Sequence, residues 1–424
     1  MLSVAQNTRI TETGPGTPMG QLLRRYWHPI APSMELNDEN PTKEVRLMSE
    51  DLVLFRSAAG KLGLIEPSCA HRKANLSYGV PEPEGIRCAY HGWLFDVDGN
   101  CVDQPSEPAG SRFKDKVHIK AYRVQEMAGL IWAYMGPDPA PVLPRWDAFT
   151  WDAAWRDMYY CILPCNWVQC QENSLDPVHV EWMHTYFARY TAEGNNWHGP
   201  SAIFELPSHE KVGFDEFEHG IIKRRVLSGY TEEDDDWKEG HPVFFPNILM
   251  VGSEVSVTFQ WRVPIDDENT LHVSQYIWHG APGVDVPNQD VVPYREVALK
   301  DDEGRWIVDL VFNQDYMAWV TQGDIARRDL EKLGESDKGI ILYRRMLNEQ
   351  MDIVERGEEP KNVFRDAGSN EIIEVIHEGV LGRRLTLPRG GKPLPGQWDP
   401  ETGDVSVAPT GKHARHVLYR PAQL

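Results

Sequence analysis

Long apolar runs are missing from this 424-residue chain, and no stretch approaches the ~20 consecutive apolar residues of a membrane-spanning helix. The amino terminus, Met1-Leu2-Ser3-Val4-Ala5-Gln6, has neither the basic n-region nor the apolar core of an export signal, which predicts a cytoplasmic location. Positive charge is scarce: 43 Lys and Arg stand against 64 Asp and Glu, a formal net charge of -21. That balance excludes nucleic acid and anionic membranes as expected partners, because both need a basic face. Cysteine is limited to six residues, better read as reduced thiols or metal ligands than as a disulfide framework. A Gly-rich βα turn for a dinucleotide is absent, so electrons from NAD(P)H would have to arrive through another protein. There is no internal repeat.

What is present is a spaced set of soft ligands. Cys69-Ala70-His71 and Cys88-Ala89-Tyr90-His91 are a Cys-X-His and a Cys-X-X-His pair on short loops. Two such loops facing each other can hold a [2Fe-2S] cluster, with two thiolates on one iron and two imidazoles on the other. Neutral imidazoles raise the potential of such a cluster and suit it to relay electrons. A structural Zn²⁺ is the alternative for two Cys and two His. Zinc fingers more often pair Cys with Cys and His with His, whereas each half here pairs one Cys with one His. Cys161, Cys165 and Cys170 cluster, where a further metal site is conceivable but buried structural thiols, which behave as small hydrophobes, are the stronger reading; these three and Cys101 are left unassigned.

The ligand loops sit in β-like surroundings. Short runs at Lys43 to Arg56, Lys61 to Ile65, Gly85 to Cys88, Trp93 to Val97 and Leu130 to Tyr134 are separated by Gly, Pro and Asp, as in a compact all-β module. A capped turn and short helix precede it at residues 14–28, and the proline-rich segment from Met135 to Pro141 follows as an extended linker. Beyond lies a mixed region: helix from about Asn166 to Phe187, strands at His219 to Leu227, Ser253 to Val263 and Leu271 to Trp278, and helix over roughly Asn313 to Arg356. The acidic run from Glu232 to Asp236 is expected to be a solvated loop. The expected fold class is α+β, divided into an N-terminal helical segment packed on the catalytic domain (1–42), an all-β cluster domain (43–137), a catalytic domain (138–384) and a C-terminal extended arm (385–424).

A second metal site is expected in Asn173-Ser174-Leu175-Asp176-Pro177-Val178-His179-Val180-Glu181-Trp182-Met183-His184. Two imidazoles and one carboxylate make the facial triad of non-haem Fe(II), with positions open for O₂. Histidines five apart share a face only if the helix is distorted, which Pro177 could supply. The carboxylate must come from elsewhere. Asp337, at the start of an amphipathic helix, is the favoured candidate, with Asp315, Asp324, Asp329 and Asp352 as rivals.

These motifs in this order, with Gly14-Pro15-Gly16-Thr17-Pro18-Met19-Gly20, Arg24-Arg25-Tyr26-Trp27-His28-Pro29, Phe245-Pro246-Asn247 and Arg262-Val263-Pro264-Ile265-Asp266-Asp267, resemble the α (oxygenase) subunits of Rieske non-haem iron ring-hydroxylating oxygenases, most closely the phthalate dioxygenase group. The resemblance covers most of the chain. It implies a Rieske domain followed by a helix-grip-type catalytic domain with an antiparallel sheet. The cluster would be held by Cys69, His71, Cys88 and His91, and mononuclear iron by His179, His184 and Asp337. It also implies a head-to-tail trimer, alone or stacked into a hexamer, in which Asp176 bridges His91 of a neighbouring subunit to His179. Asn173 would act near the iron.

The activity implied is O₂-dependent oxidation of an aromatic compound, expected to be an aromatic acid. Cis-dihydroxylation is the first reading and oxidative O-demethylation of a methoxylated aromatic acid the alternative. Electrons would come from NAD(P)H through a separate flavin iron-sulfur reductase. A plain Rieske electron carrier is the contrasting class, and it needs no second iron. Two departures from the family pattern stand out: Ala70 and Lys73 replace the Pro and Gly of the usual Cys-Pro-His-Arg-Gly loop, and Met250 follows Asn247-Ile248-Leu249 where related chains place pocket arginines. Lys223, Arg224 and Arg225 are candidates for a substrate-carboxylate clamp. Arg72, Lys73 and Arg87 form a candidate docking patch for the reductase.

Overall fold

The computed structural model describes residues 1–151, 154–191, 207–253, 256–278, 286, 288–308, 310–366, 372–375 and 417–418. Helices α1 (Val4–Thr11) and α2 (Pro18–Leu23) open the chain, each capped by a hydroxyl: Ser3 accepts from the Gln6 amide, and Thr17 accepts from that of Gly20. Strand β1 (Trp27–Pro32) follows, so the N-terminal segment expected to be helical over 1–42 enters a sheet at residue 27. The alternation Trp-His-Pro-Ile carried no clean period because every residue of β1 is buried.

The run expected from Lys43 to Arg56 is a hairpin of β2 (Thr42–Leu47) and β3 (Glu50–Arg56). Its two turn residues, Met48 and Ser49, have φ of 46° and 66°, the pair of positive values that a tight hairpin matches to strand twist. After β4 (Leu62–Ile65) the chain leaves for a small four-stranded antiparallel sheet, β5 (Val80–Glu82), β6 (Gly85–Arg87), β7 (Leu94–Phe95) and β8 (Cys101–Asp103). It returns as β9 (Ala121–Met127) and β10 (Leu130–Tyr134) to complete a six-stranded sheet in the order β1-β10-β9-β4-β3-β2. A separate core of Val53, Phe55, Ile65, Leu76, Ile86, Trp93 and Phe95 fills the space beneath the ligand loops.

The larger sheet begins with β11 (Trp155–Leu163), then pauses for α3 (Trp167–Asn173), α4 (Val178–Glu181), a π-helical turn (Trp182–Phe187) and α5 (Ala188–Tyr190). It continues with β12 (His209–Phe217), β13 (Gly220–Leu227), the short helix α6 (Asp235–Lys238), β14 (His241–Phe244), β15 (Ile248–Ser253), β16 (Ser256–Pro264), β17 (Thr270–Trp278) and β18 (Tyr294–Val297). Helices α7 (Val311–Val320) and α8 (Lys338–Glu355) and a last strand β19 (Val417–Leu418) close the described chain. The strand order is β12-β13-β14-β15-β16-β17-β11-β18-β19, antiparallel throughout except for β11 with β18. This is the α+β architecture expected, an all-β amino-terminal part followed by helices on an antiparallel sheet. Apart from β19, the expected C-terminal arm lies outside the described residues.

One core links the two sheets. Trp132 on β10 meets Trp261 on β16 edge-to-face with ring centroids 5.3 Å apart, and Phe149 stacks on Trp261 at 5.5 Å. The β2–β3 turn also docks on the end of β16, with Met48 and Ser49 amides donating to the Pro264 and Ile265 carbonyls. The helix expected over Asn313 to Arg356 is in fact two, because Gly323 takes φ of 94° and the chain turns back before Gly334. Helix α8 buries Tyr343, Met346, Leu347, Gln350, Met351 and Val354, one stripe at helical spacing. In the acidic run Asp236 is buried on Arg225 at 3.2 Å, so that segment is not wholly solvated. Among the described residues no helix is long and apolar enough to cross a membrane.

Candidate functional site

The two cysteine loops are built alike. In each, the Cys amide donates to the carbonyl five residues on, Cys69 to Ala74 and Cys88 to Trp93. In each, the Cys carbonyl accepts from the residue four on, Lys73 and Gly92. Arg87 braces the second loop, donating to the Gly92 carbonyl at 2.5 Å while held by Glu82 at 2.5 Å and Asp103 at 2.8 Å. Arg87 is therefore neutralised inside its own domain, which leaves Arg72 and Lys73 as the exposed part of the expected basic patch.

Charge and burial segregate the four candidate ligands. The two thiols are buried and lie close enough to influence each other, and burial pushes that of Cys69 up to about 11. The two imidazoles lie outside them with ring centroids 4.5 Å apart, His71 exposed and stacked on Trp93 at 4.6 Å. Thiol beside thiol and imidazole beside imidazole is what a cluster with two chemically distinct irons requires. A single tetrahedral ion calls for no such segregation. Cys69, His71, Cys88 and His91 thus fit a [2Fe-2S] group.

The second site forms where α4 meets α7. His179, His184 and Asp315 each offer a ligand atom, and these atoms lie within 4.8 Å of one another. His184 Nε2 is 3.3 Å and His179 Nε2 3.7 Å from Asp315 Oδ1. The π-helical turn accounts for the five-residue spacing: widening the helix turns residues five apart towards one side, as the Thr185 hydroxyl bond back to the Val180 carbonyl at 3.1 Å reflects. Pro177 is not the distortion. It stands just before α4, and the Asp176 carboxylate accepts from the Val178 amide at 2.9 Å and the His179 amide at 3.3 Å.

Electrostatics suit a cation. Burial and the neighbouring His184 hold the His179 imidazole down to about 4, so it is a neutral donor. Burial works to raise the Asp315 carboxyl, but His184, His179 and Arg262 outweigh it and keep the group ionised. Asn173 Nδ2 lies 3.5 Å from Asp315 Oδ1, and Asp176 presents its own backbone oxygen to His179 Nδ1 at 2.5 Å. The α3 anchor is firm: Gln169 donates to the Trp319 and Gly323 carbonyls, fixing α3 to the end of α7.

Asp337 does not join this group. Its carboxylate accepts from the Gly334 amide at 2.6 Å and closes the short 3-10 turn Glu335–Asp337 ahead of α8, an ordinary local role. The carboxylate that meets the histidines is that of Asp315, one of the rivals. Its signal in the sequence was an Asp set among Phe312, Tyr316 and Trp319, an apolar helix surface where a charge is buried only with a partner. Gln314, which accepts from His184 Nδ1 at 2.8 Å, was missed altogether. Of the expected clamp, Arg224 is committed to Asp215 at 2.7 Å and Arg225 to Asp236, while the charge of Lys223 is felt by His179.

Known proteins resemble this chain in sequence and fold. The Rieske [2Fe-2S] domain family matches residues 26–123. The 5,5'-dehydrodivanillate O-demethylase oxygenase subunit of Sphingobium sp. (strain NBRC 103272 / SYK-6) is 41% identical over 91% of this chain and 89% of its own length. The chain belongs to the Rieske non-haem iron oxygenases. The phthalate 4,5-dioxygenase oxygenase subunit of Pseudomonas putida, 30% identical over 84% of this chain and 88% of its own, is a further relative. Among solved structures, Pseudomonas putida CBB5 NdmA with caffeine superposes with a TM-score of 0.59 at 22% identity, covering 84% of this chain and 98% of that one, a likeness of fold. As a Rieske oxygenase, the protein is an enzyme that uses a [2Fe-2S] cluster and mononuclear iron.

Proposed function

We propose that this oxygenase component removes the methyl group of a methoxylated aromatic acid by oxidative O-demethylation. The observation that carries the assignment of its oxygen-activating centre is the convergence of His179, His184 and Asp315 within 4.8 Å of one another. The choice of demethylation rests on the 41% identity with the 5,5'-dehydrodivanillate O-demethylase subunit across nearly the whole chain. Iron held by those three side chains would supply open positions at which O₂ is reduced beside the substrate. Two imidazoles and one carboxylate, carried on α4, the π-helical turn and α7, would hold it.

In this reading Cys69, His71, Cys88 and His91 hold the cluster, and Asp176 carries electrons onward from a neighbouring subunit's cluster. Two features support the Asp176 role. Its carboxylate is about a third exposed, with relative accessibility of 32%, and it lies 3.7 Å from His179 Nδ1. It can therefore accept a hydrogen bond from a partner on its open side while orienting the imidazole behind it. Such a path makes the working unit an oligomer, proposed to be a trimer, and NAD(P)H places it in the cytoplasm. Asn173 is placed to donate to Asp315 or to position a water beside it.

The atoms balance simply. One atom of O₂ enters the methyl carbon, the hemiacetal falls apart to phenol and formaldehyde, and the other atom leaves as water with two electrons and two protons. Cis-dihydroxylation of an aromatic acid is the second reading, favoured by the phthalate 4,5-dioxygenase relative. Incubation with NADH, a surrogate reductase and a panel of methoxylated and unsubstituted aromatic acids separates them. Equal amounts of phenol and formaldehyde support demethylation. A diol with no formaldehyde from any methoxylated acid overturns it in favour of the second.

A further inference from the structure

We propose that Gln314 is a positioning residue for the iron centre, locking His184 in one tautomer through a neutral hydrogen bond. The inference rests on the reading above that His179, His184 and Asp315 hold iron. Gln314 is completely buried, and both ends of its amide are used. Its Nε2 donates to the Val308 carbonyl at 3.0 Å, and its Oε1 meets His184 Nδ1 at 2.8 Å. A carbonyl can only accept, so the amide nitrogen must face Val308 and the amide oxygen must face His184. The imidazole therefore carries its hydrogen on Nδ1. That leaves Nε2, the atom 3.3 Å from Asp315 Oδ1, as the position a metal ion takes in place of a proton.

Sequence adjacency makes the device economical. Gln314 and Asp315 are consecutive on α7, about 100° apart around the helix axis, so one turn supplies a ligand and the brace for another ligand. The two histidines are also backed differently. His179 Nδ1 faces Asp176, with a backbone oxygen at 2.5 Å and a carboxylate oxygen at 3.7 Å, while His184 faces an uncharged amide. A neutral acceptor orients the ring without adding negative charge to it, whereas a carboxylate would make the imidazole a stronger donor to the metal.

The test compares Gln314→Leu and Gln314→Glu in cluster-loaded protein. Fe(II) affinity is measured by competition with a chelator, and the midpoint potential of that iron by a redox titration followed by electron paramagnetic resonance. Gln314→Leu should weaken Fe(II) binding by roughly 10–100-fold with the visible spectrum of the cluster unchanged. Gln314→Glu restores an acceptor to Nδ1, so it should recover most of the affinity and move the potential to a more negative value. Wild-type affinity in the Leu variant, equal losses in both variants, or an unmoved potential in the Glu variant overturns the proposal. Should the Leu variant not fold, the potential of the Glu variant decides alone. His184→Ala is the control: if it binds Fe(II) as well as wild type, the iron site itself is wrongly assigned. If it loses iron while Gln314→Leu keeps it, only the role of Gln314 fails.

Discussion

Lys73 and Gly92 occupy the same corner of the two cluster loops, with φ of 61° and 73°, and each amide donates to the carbonyl of the cysteine four residues before it. The positive φ explains why the usual family loop has Gly at the Lys73 position. A side chain in this region costs about 1–2 kcal/mol, partly offset here because Gly loses about 0.5–1 kcal/mol more chain entropy on folding. Lys73→Gly should therefore gain at most about 1 kcal/mol. Gly92→Ala should lose about 1–2 kcal/mol, since its new Cβ keeps the strained angle and also lies 3.0 Å from Pro105 Cγ. Thermal midpoints of the two cluster-loaded variants check both signs, and a stabilised Gly92→Ala would refute the equivalence of the corners.

The carboxylates Asp315 and Asp337 give opposite predictions. Asp315→Asn keeps the volume but removes the charge that faces His184 and His179, so iron should fall from about three to about two per chain with the cluster spectrum intact. Asp337→Ala should retain all the iron and cost only about 1 kcal/mol, the loss of one local turn hydrogen bond. Iron analysis after desalting decides. Retention of mononuclear iron by Asp315→Asn together with its loss from Asp337→Ala would reverse the assignment.

Why one ligand set was legible and the other only partly so follows from distance along the chain. Cys69, His71, Cys88 and His91 lie on two short loops closed by local backbone bonds, so their spacing alone encodes the geometry. His179 and His184 share one helical stretch, and their five-residue spacing makes sense once the π-helical turn is seen. Asp315 reaches them only because β17, β11 and α7 stack in three dimensions, and no local period announces that. The carboxylate at the start of α8 looked favourable because a helix start can aim a side chain inward, but at Asp337 the nearest donor was its own backbone turn. The β-module was recognisable from its turns, while β1 was hidden by continuous burial, which erases the alternation of a half-exposed strand.

Asp176→Asn is a clean probe of electron transfer between subunits. Asn caps a helix about as well as Asp, so acceptance from the Val178 and His179 amides survives and stability should change by less than about 0.5 kcal/mol. What disappears is the negative charge on the open side of His179. Both metals should remain, and substrate turnover should fall by well over an order of magnitude while reduction of the cluster by the reductase is unaffected. Single-turnover absorbance of the cluster separates the steps. Near-wild-type cluster oxidation in the variant would remove Asp176 from the path.

Glu172 ties the iron-bearing helices to the rest of the domain. It is buried, accepts from Arg328 at 2.8 Å and Arg344 at 2.6 Å, and lies on α3, directly before the segment that carries Asp176 and His179. Burial alone would raise its carboxyl, but the two guanidinium groups outweigh it and hold the group below its usual value of 4.5. A lowered folded-state value means that the unfolded chain binds the proton more tightly, so the pair stabilises above about pH 4.5 and its contribution is lost as pH falls through the folded value. Glu172→Gln leaves two buried cations without their shared carboxylate and should cost about 3–5 kcal/mol at pH 7. The gap to wild type should then narrow steadily below pH 4.5, because protonation does to the native side chain what the substitution does permanently. Thermal midpoints of both proteins across pH 3 to 8 test this, and a gap that stayed constant into acid would show that Glu172 is not held ionised by its two arginines.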